Sequence, residues 1–161
     1  MKKESGTDDL FLYNTKRKIY VDIIIGILLF IFLSCSNPNQ DPETILSEIM
    51  IADNAADVER IVSLYTDDAM LIPAGKPNIS GNDAIRKNYE NIFSSSRLQL
   101  SAKANEVIES GKTAIIIGNT TGNVNNLKDS SIASVNDKFI MLLKAVNGKW
   151  KIYRLMWGKD H

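Results

Sequence analysis

The sequence predicts an α+β domain in which three N-terminal helices pack on a strongly curved antiparallel sheet. Apolar residues recur at helical spacing in three segments between Pro42 and Phe93. From Arg97 the period changes to two and holds to Trp157. Asn147-Gly148, set between two apolar runs, is a hairpin signal. Helices followed by a meander make one sheet wrapped on a helical layer. A strongly curved sheet that closes on helices leaves a cone with a pocket at its wide end.

Pro42 and Glu43 open the first helix, with a proline in the first turn and an acid at the positive end. Its apolar stripe is Ile45, Ile49, Ala52 and Ala56, flanked by Leu46 and Met50. Asp57 caps a second helix with Val58, Ile61, Val62 and Tyr65 on one side. The pair Asp67-Asp68 closes it as solvated turn residues, Ala69 to Ile72 reads as a strand, and Pro73 and Gly75 force a turn. Asn78-Ile79 can pair back on Met70 to Ile72. Gly81-Asn82-Asp83 then caps a third helix carrying Ile85, Tyr89, Ile92 and Phe93.

Leu98, Leu100, Ala102, Ala104 and Ile108 alternate with polar residues, giving a long strand with one wet face. Ser110-Gly111-Lys112 turns into a strand over Thr113 to Thr121, and the Asn-, Ser- and Gly-rich run from Gly122 to Ser131 reads as a loop. Lys138 to Val146 is a strand buried on both faces, and Lys149 to Trp157 returns beside it. Strict alternation puts Tyr153, Leu155 and Trp157 on one face of that last strand, and Trp150, Ile152, Arg154 and Met156 on the other.

The 161 residues carry 19 basic and 19 acidic side chains. Residues 1–34 hold five of the basic and four of the acidic ones, so the remainder is 14 against 15, a net charge of −1. With the basic residues scattered singly, no stripe for phosphate exists, and nucleic acid is not an expected partner. One cysteine excludes an internal disulfide and a paired-cysteine metal site. The one histidine, His161, is the last residue and a poor general base. Neither a metal nor a cofactor is expected.

Ile23 to Leu33 is an eleven-residue apolar run behind the basic cluster Lys16-Arg17-Lys18. That is the length of a signal-peptide core, short of the roughly 20 residues that span a bilayer. The lone cysteine follows at once, and Phe32-Leu33-Ser34-Cys35 resembles a bacterial lipobox. The expected organisation is a lipoprotein signal peptide over 1–34, lipidated Cys35 with a polar tether to residue 42, and one domain over 43–160. An uncleaved anchor is the alternative. Either places the domain in the cell envelope, tethered to a membrane. Ser36, in place of the Asp that retains some lipoproteins at the inner membrane, points to the outer one.

The run DVERIVSLYTDDAMLIP from Asp57, ISGNDAIRKNY from Ile79 and the closing NGKWKIYRLMW from Asn147 together resemble the SnoaL-like branch of the nuclear transport factor 2-like superfamily. More narrowly they resemble its uncharacterised group that ends in a Gly-x-Trp-Lys strand. The resemblance spans about Glu43 to Asp160 and implies a cone-shaped, cystatin-like roll. It also implies a homodimer paired through the outer sheet face, and an activity drawn from a wide range that includes isomerases, cyclases, hydrolases and non-enzymatic binding modules. Two supporting tyrosines of the steroid isomerases match Tyr65 and Tyr89. The isomerase oxyanion tyrosine falls at Ile49, its general base at or beside Ile72, and its proton donor near Phe139 or Ile140. All are apolar here, which argues against that chemistry. The Asp that the uncharacterised group often has two residues before its final Trp is Leu155.

The expected pocket is built from Ile49, Asp53, Tyr65, Met70, Tyr89, Phe93, Tyr153 and Trp157. Tyr65 and Tyr89 either offer their hydroxyls to a ligand or bond each other. Trp157 is a wall of the pocket or packs in the core. Asp53 is the one remaining carboxylate placed for catalysis. The expected activity is binding of a small apolar molecule. An enzyme using Asp53 with Tyr65 or Tyr89 is the alternative, and a protein-interaction scaffold with a filled cone is the third.

Overall fold

The computed structural model describes residues 40–160. The expected signal peptide, Cys35, the tether before Gln40 and His161 lie outside the described residues. Among the described residues no helix is long and apolar enough to cross a membrane.

Helix α1 spans Glu43–Ala55, and Asp41 Oδ1 accepts the Glu43 N–H ahead of it at 2.9 Å. Ile45, Leu46, Ile49, Ala52 and Asp53 form its buried face. The helix stops at Ala56, whose left-handed backbone (φ 54°) lets its N–H reach the Asp53 and Ala52 carbonyls. Helix α2, Val58–Ser63, is capped by the Asp57 side chain, which accepts from the Arg60 N–H. It is one turn shorter than the periodicity suggests. Tyr65, Asp67 and Asp68 belong instead to strand β1, Tyr65–Pro73, where both acids are exposed. After β2, Ile79–Ser80, helix α3 (Asn82–Ser95) buries Ile85, Tyr89 and Phe93 at i, i+4, i+8.

The rest is sheet: β3 Ser96–Ser110, β4 Thr113–Asn126, β5 Ile132–Val146 and β6 Lys149–Lys159. The strand order is β2-β1-β6-β5-β4-β3. The β3 to β6 meander is antiparallel as expected, but β1 joins β6 in parallel, so the curved sheet is mixed. About 75 residues separate β1 from β6, and no local pattern announces a pairing made across that distance. The helices cover one face of this sheet. Their interface with it holds Ile61, Leu71, Ile85, Ile116, Leu143 and Ile152, each with 0 % of its surface exposed. Each such side chain is worth about 1.5–3 kcal/mol relative to an exposed one.

Two departures from strict alternation in the meander, one in β3 and one in β6, decide which residues face the helices. In β3 the register shifts between Ala104 and Glu106, so Val107 turns inward and Ile108, expected on the buried face, is 46 % exposed. In β6, Leu142 pairs with Arg154 and Leu143 with Ile152, leaving Tyr153 as the extra residue of a bulge. Trp150 and Ile152 therefore share the inner face with Leu155 and Trp157 rather than opposing them. The first half of the run expected as a loop from Gly122 is strand. Gly122 pairs with Leu100 on one side and Val135 on the other, and only residues 127–131 turn. Gly122 is suited to that place: its φ is +141°, and a Cβ there would lie 2.0 Å from the Gln99 carbonyl oxygen.

Candidate functional site

The concave face of the sheet, α1 and α3 enclose a partly open cavity of about 220 Å³. Helix α1 supplies Leu46, Ile49, Met50 and Asp53, with Ile49 and Asp53 one turn apart on the same stripe. Helix α3 supplies Asn88, Tyr89 and Ile92. The strands contribute at their two-residue period: Leu98 and Leu100 from β3, Thr120 and Val124 from β4, Val135, Asp137, Phe139 and Met141 from β5, Leu155 and Trp157 from β6.

Asp53 is the unusual member. It is 6 % exposed, and its Oδ1 has no hydrogen-bond partner. Burial disfavours its charged form and pushes its pKa up from 3.8 to about 7. Beside it, the hydroxyls of Tyr89 and Tyr65 lie 3.3 Å apart, and burial raises both phenol pKa values further above their ordinary range. The helix turn that carries Asp53 is clamped to the sheet edge by its neighbour. Asn54 Nδ2 donates to the Leu100 carbonyl at 2.8 Å, and Asn54 Oδ1 accepts the Leu100 N–H at 2.7 Å. The amide side chain thus continues the hydrogen-bond ladder where β3 has no further strand.

Of the eight residues expected in the pocket, Ile49, Asp53, Tyr89 and Trp157 line it. Tyr65 stands behind Tyr89, bonded to it through the hydroxyl, and Phe93 packs on the Tyr89 ring with centroids 5.8 Å apart. Met70 and Tyr153 are elsewhere. Met70 pairs with Arg154, so it alternates away from the inward Leu71. The β6 bulge sends Tyr153 to the outer face, where its ring lies under Lys144 Nζ (3.2 Å) and the Arg154 guanidinium (3.6 Å). Arg154 is an outer-face residue, as alternation predicts. Asp137 is a lining residue that the sequence reading misses. It sits two residues before Phe139 on the inner parity of β5, and that parity is the signal that could find it. A wider surface hollow of about 720 Å³ near Glu59, Asp67, Arg86 and Lys144 is edged by charges in solvent, with Arg86 and Glu59 paired across it.

The sequence profile of the SnoaL-like domain matches residues 49–152. The chain belongs to the SnoaL-like domain family. Among curated proteins, none matches it in sequence. Solved structures with the same fold include a ketosteroid isomerase-like protein from Erwinia carotovora atroseptica, 24% identical with a TM-score of 0.69, over 74% of this chain and 93% of that one. A hexachlorocyclohexane dehydrochlorinase from Novosphingobium barchaimii is 15% identical with a TM-score of 0.64, over 73% and 82% of the two chains. A cystatin-like domain of unknown function from Nostoc punctiforme is 14% identical with a TM-score of 0.60, over 74% and 75%. At these identities the likeness establishes the fold. In this SnoaL-like domain the apolar Ile49 and Phe139 face the cavity, while Ile72 and the half-exposed Ile140 lie on the outer parity of their strands. The carboxylates of the cavity lining are Asp53 and Asp137.

Proposed function

We propose that this SnoaL-like domain binds a small, largely apolar molecule in its cone, and that Asp53 receives a hydrogen-bond donor from it. The carrying observation is the buried, partnerless Asp53 carboxylate on an otherwise mostly apolar wall. Buried polar groups are almost always paired, and this one lines a cavity with room for a ligand that supplies the partner. The volume sets the ligand's size. About 220 Å³ exceeds the ~150 Å³ that takes up benzene and falls short of the ~300 Å³ at which drug-sized sites begin. A one-ring body fits; a four-ring steroid does not.

A specific observation favours a second reading, an isomerase, cyclase or hydrolase. A carboxylate with a pKa of about 7 beside a tyrosine pair is poised as a general base at neutral pH. The scaffold reading is weakened by the open cavity. Native mass spectrometry of the full-length chain, released from detergent after purification from its own host, separates the three. A retained small molecule supports a binding cone. Bare protein that nonetheless turns over trial substrates supports the enzyme, and bare, inactive protein overturns both.

The domain is further proposed to be a lipoprotein anchored through Cys35 at the outer membrane. The order of basic cluster, apolar run and lone cysteine supports that reading. Cys35→Ser should abolish lipid labelling and membrane retention; unchanged fractionation would overturn it. A homodimer paired through the outer sheet face is proposed with it. Two rows of side chains cross that face in register. One is Ile108, Ile115, Leu142, Arg154 and Met70; the other is Glu106, Ile117, Ile140, Met156 and Ile72. Ile108, Ile140 and Met156 are each nearly half exposed, and a contiguous apolar strip of this kind is a common pairing surface.

A further inference from the structure

We infer that the cavity selects a cation: its ligand is a small organic ammonium ion with an apolar, one-ring-sized body. This rests on the reading of the cavity as a binding site and names the class of ligand it takes. The lining holds two carboxylates, Asp53 on α1 and Asp137 on β5, and no Lys, Arg or His among the described residues. The basic residues beside Asp137 stay out of the lining. Lys138 alternates to the outer face and pairs with Asp160 at 2.7 Å, and Lys159, cross-strand from Asp137, is exposed and outside the lining.

The head group follows from what Asp53 lacks. Its Oδ1 is buried without a donor, and a buried carboxylate needs both a hydrogen bond and a compensating charge. An ammonium supplies the two together. An alcohol supplies only the donor, and a carboxylate or phosphate ligand would meet two like charges with no cation in the lining to offset them. Three aromatic side chains in the wall, Tyr89, Phe139 and Trp157, suit the same ligand, since a ring packs against the apolar body and attracts a nearby cation. The titratable groups around Asp53 are Tyr65 on β1, Tyr89 on α3 and Asp137 across the cavity. None of them neutralises it.

The test uses four one-ring probes that differ only in head group: benzylamine, benzyl alcohol, toluene and benzoate. Each is titrated at about pH 8 into the isotope-labelled full-length chain in zwitterionic-lipid nanodiscs, and amide shifts near Asp53 and Trp157 are followed. Benzylamine should bind about tenfold or more tightly than toluene, and benzoate should give no saturable shift. Asp53→Asn should erase the amine's advantage and leave toluene binding in place. An advantage that survives Asp53→Asn and is lost in Asp137→Asn upholds the cation inference and moves the contact to Asp137. Toluene binding with no preference for the amine, or tightest binding of benzoate, overturns the inference while the cavity reading stands. No binding by any probe overturns both.

Discussion

The hydroxyls of Tyr65 on β1 and Tyr89 on α3 meet at 3.3 Å in the interior, 24 residues apart in the chain, and tie the strand to the helix that covers it. Either phenylalanine substitution removes one shared bond and leaves the other hydroxyl buried and unpaired. Tyr65→Phe and Tyr89→Phe should each cost about 1–2 kcal/mol in urea unfolding. The double variant should cost less than the sum, because both singles break the same contact.

Asp53 should make the fold less stable as pH rises. Its native pKa of about 7 lies above the ordinary 3.8. Below about pH 4 both folded and unfolded chains hold the proton. Between there and pH 7 the unfolded chain gives it up first, so native stability falls as pH rises through that window and levels off above it. The whole gap corresponds to about 4 kcal/mol. Asp53→Asn should therefore raise the Tm by several degrees at pH 8 and change it little at pH 4. A gain equal at both values would show that burial of charge is not the cause.

Asn54 should matter more than an exposed asparagine usually does. Asn54→Ala leaves the Leu100 N–H and carbonyl at the sheet edge without their clamp. A loss of about 1–3 kcal/mol is expected, with faster hydrogen exchange at Leu100 and through the last turn of α1.

Gly122 admits no side chain. Its φ is +141°, and the Gln99 carbonyl oxygen would stand only 2.0 Å from an added Cβ, so Gly122→Ala must force β3 and β4 apart. Thermal unfolding should show a loss of about 3 kcal/mol or more, whereas Gly111→Ala, with open space around its Cβ, should cost less.

The proposed dimer face and the cavity lie on opposite sides of the sheet and should separate by mutation. Ile140→Glu with Met156→Glu places charges in the middle of the exposed strip. Sedimentation should show the dimer lost, with Asp53-dependent ligand shifts retained.

Much of the architecture is legible in the chain, and the misplaced side chains of β3 and β6 share one cause. The helix stripes, the hairpin at Asn147-Gly148 and the inward positions of Ile49, Asp53, Tyr89 and Trp157 follow from periods of 3.6 and 2. Periodicity carries no mark where a strand gains a residue. One bulge at Tyr153 moves that ring out of the pocket and brings Trp150 onto the same side as Trp157. Another, in β3, turns Ile108 to solvent. The Gly122 run looks like a loop because its polar residues pair across a twisted, partly wet sheet, where composition and conformation part company. Asp53 can be named from its place on the helix, but its missing partner depends on residues as distant in the chain as Trp157.

The sixth strand of the sheet is the one on which the others close. β6 lies between β1 and β5, with Tyr65 set against Ile152 and Phe139 against Trp157. Until those eleven residues leave the ribosome, β1 has no neighbour but the two-residue β2, and the cone has no wall on that side. Assembly is thereby postponed until β6 has been made. A chain that stops before β6 loses the middle of its sheet rather than its fringe.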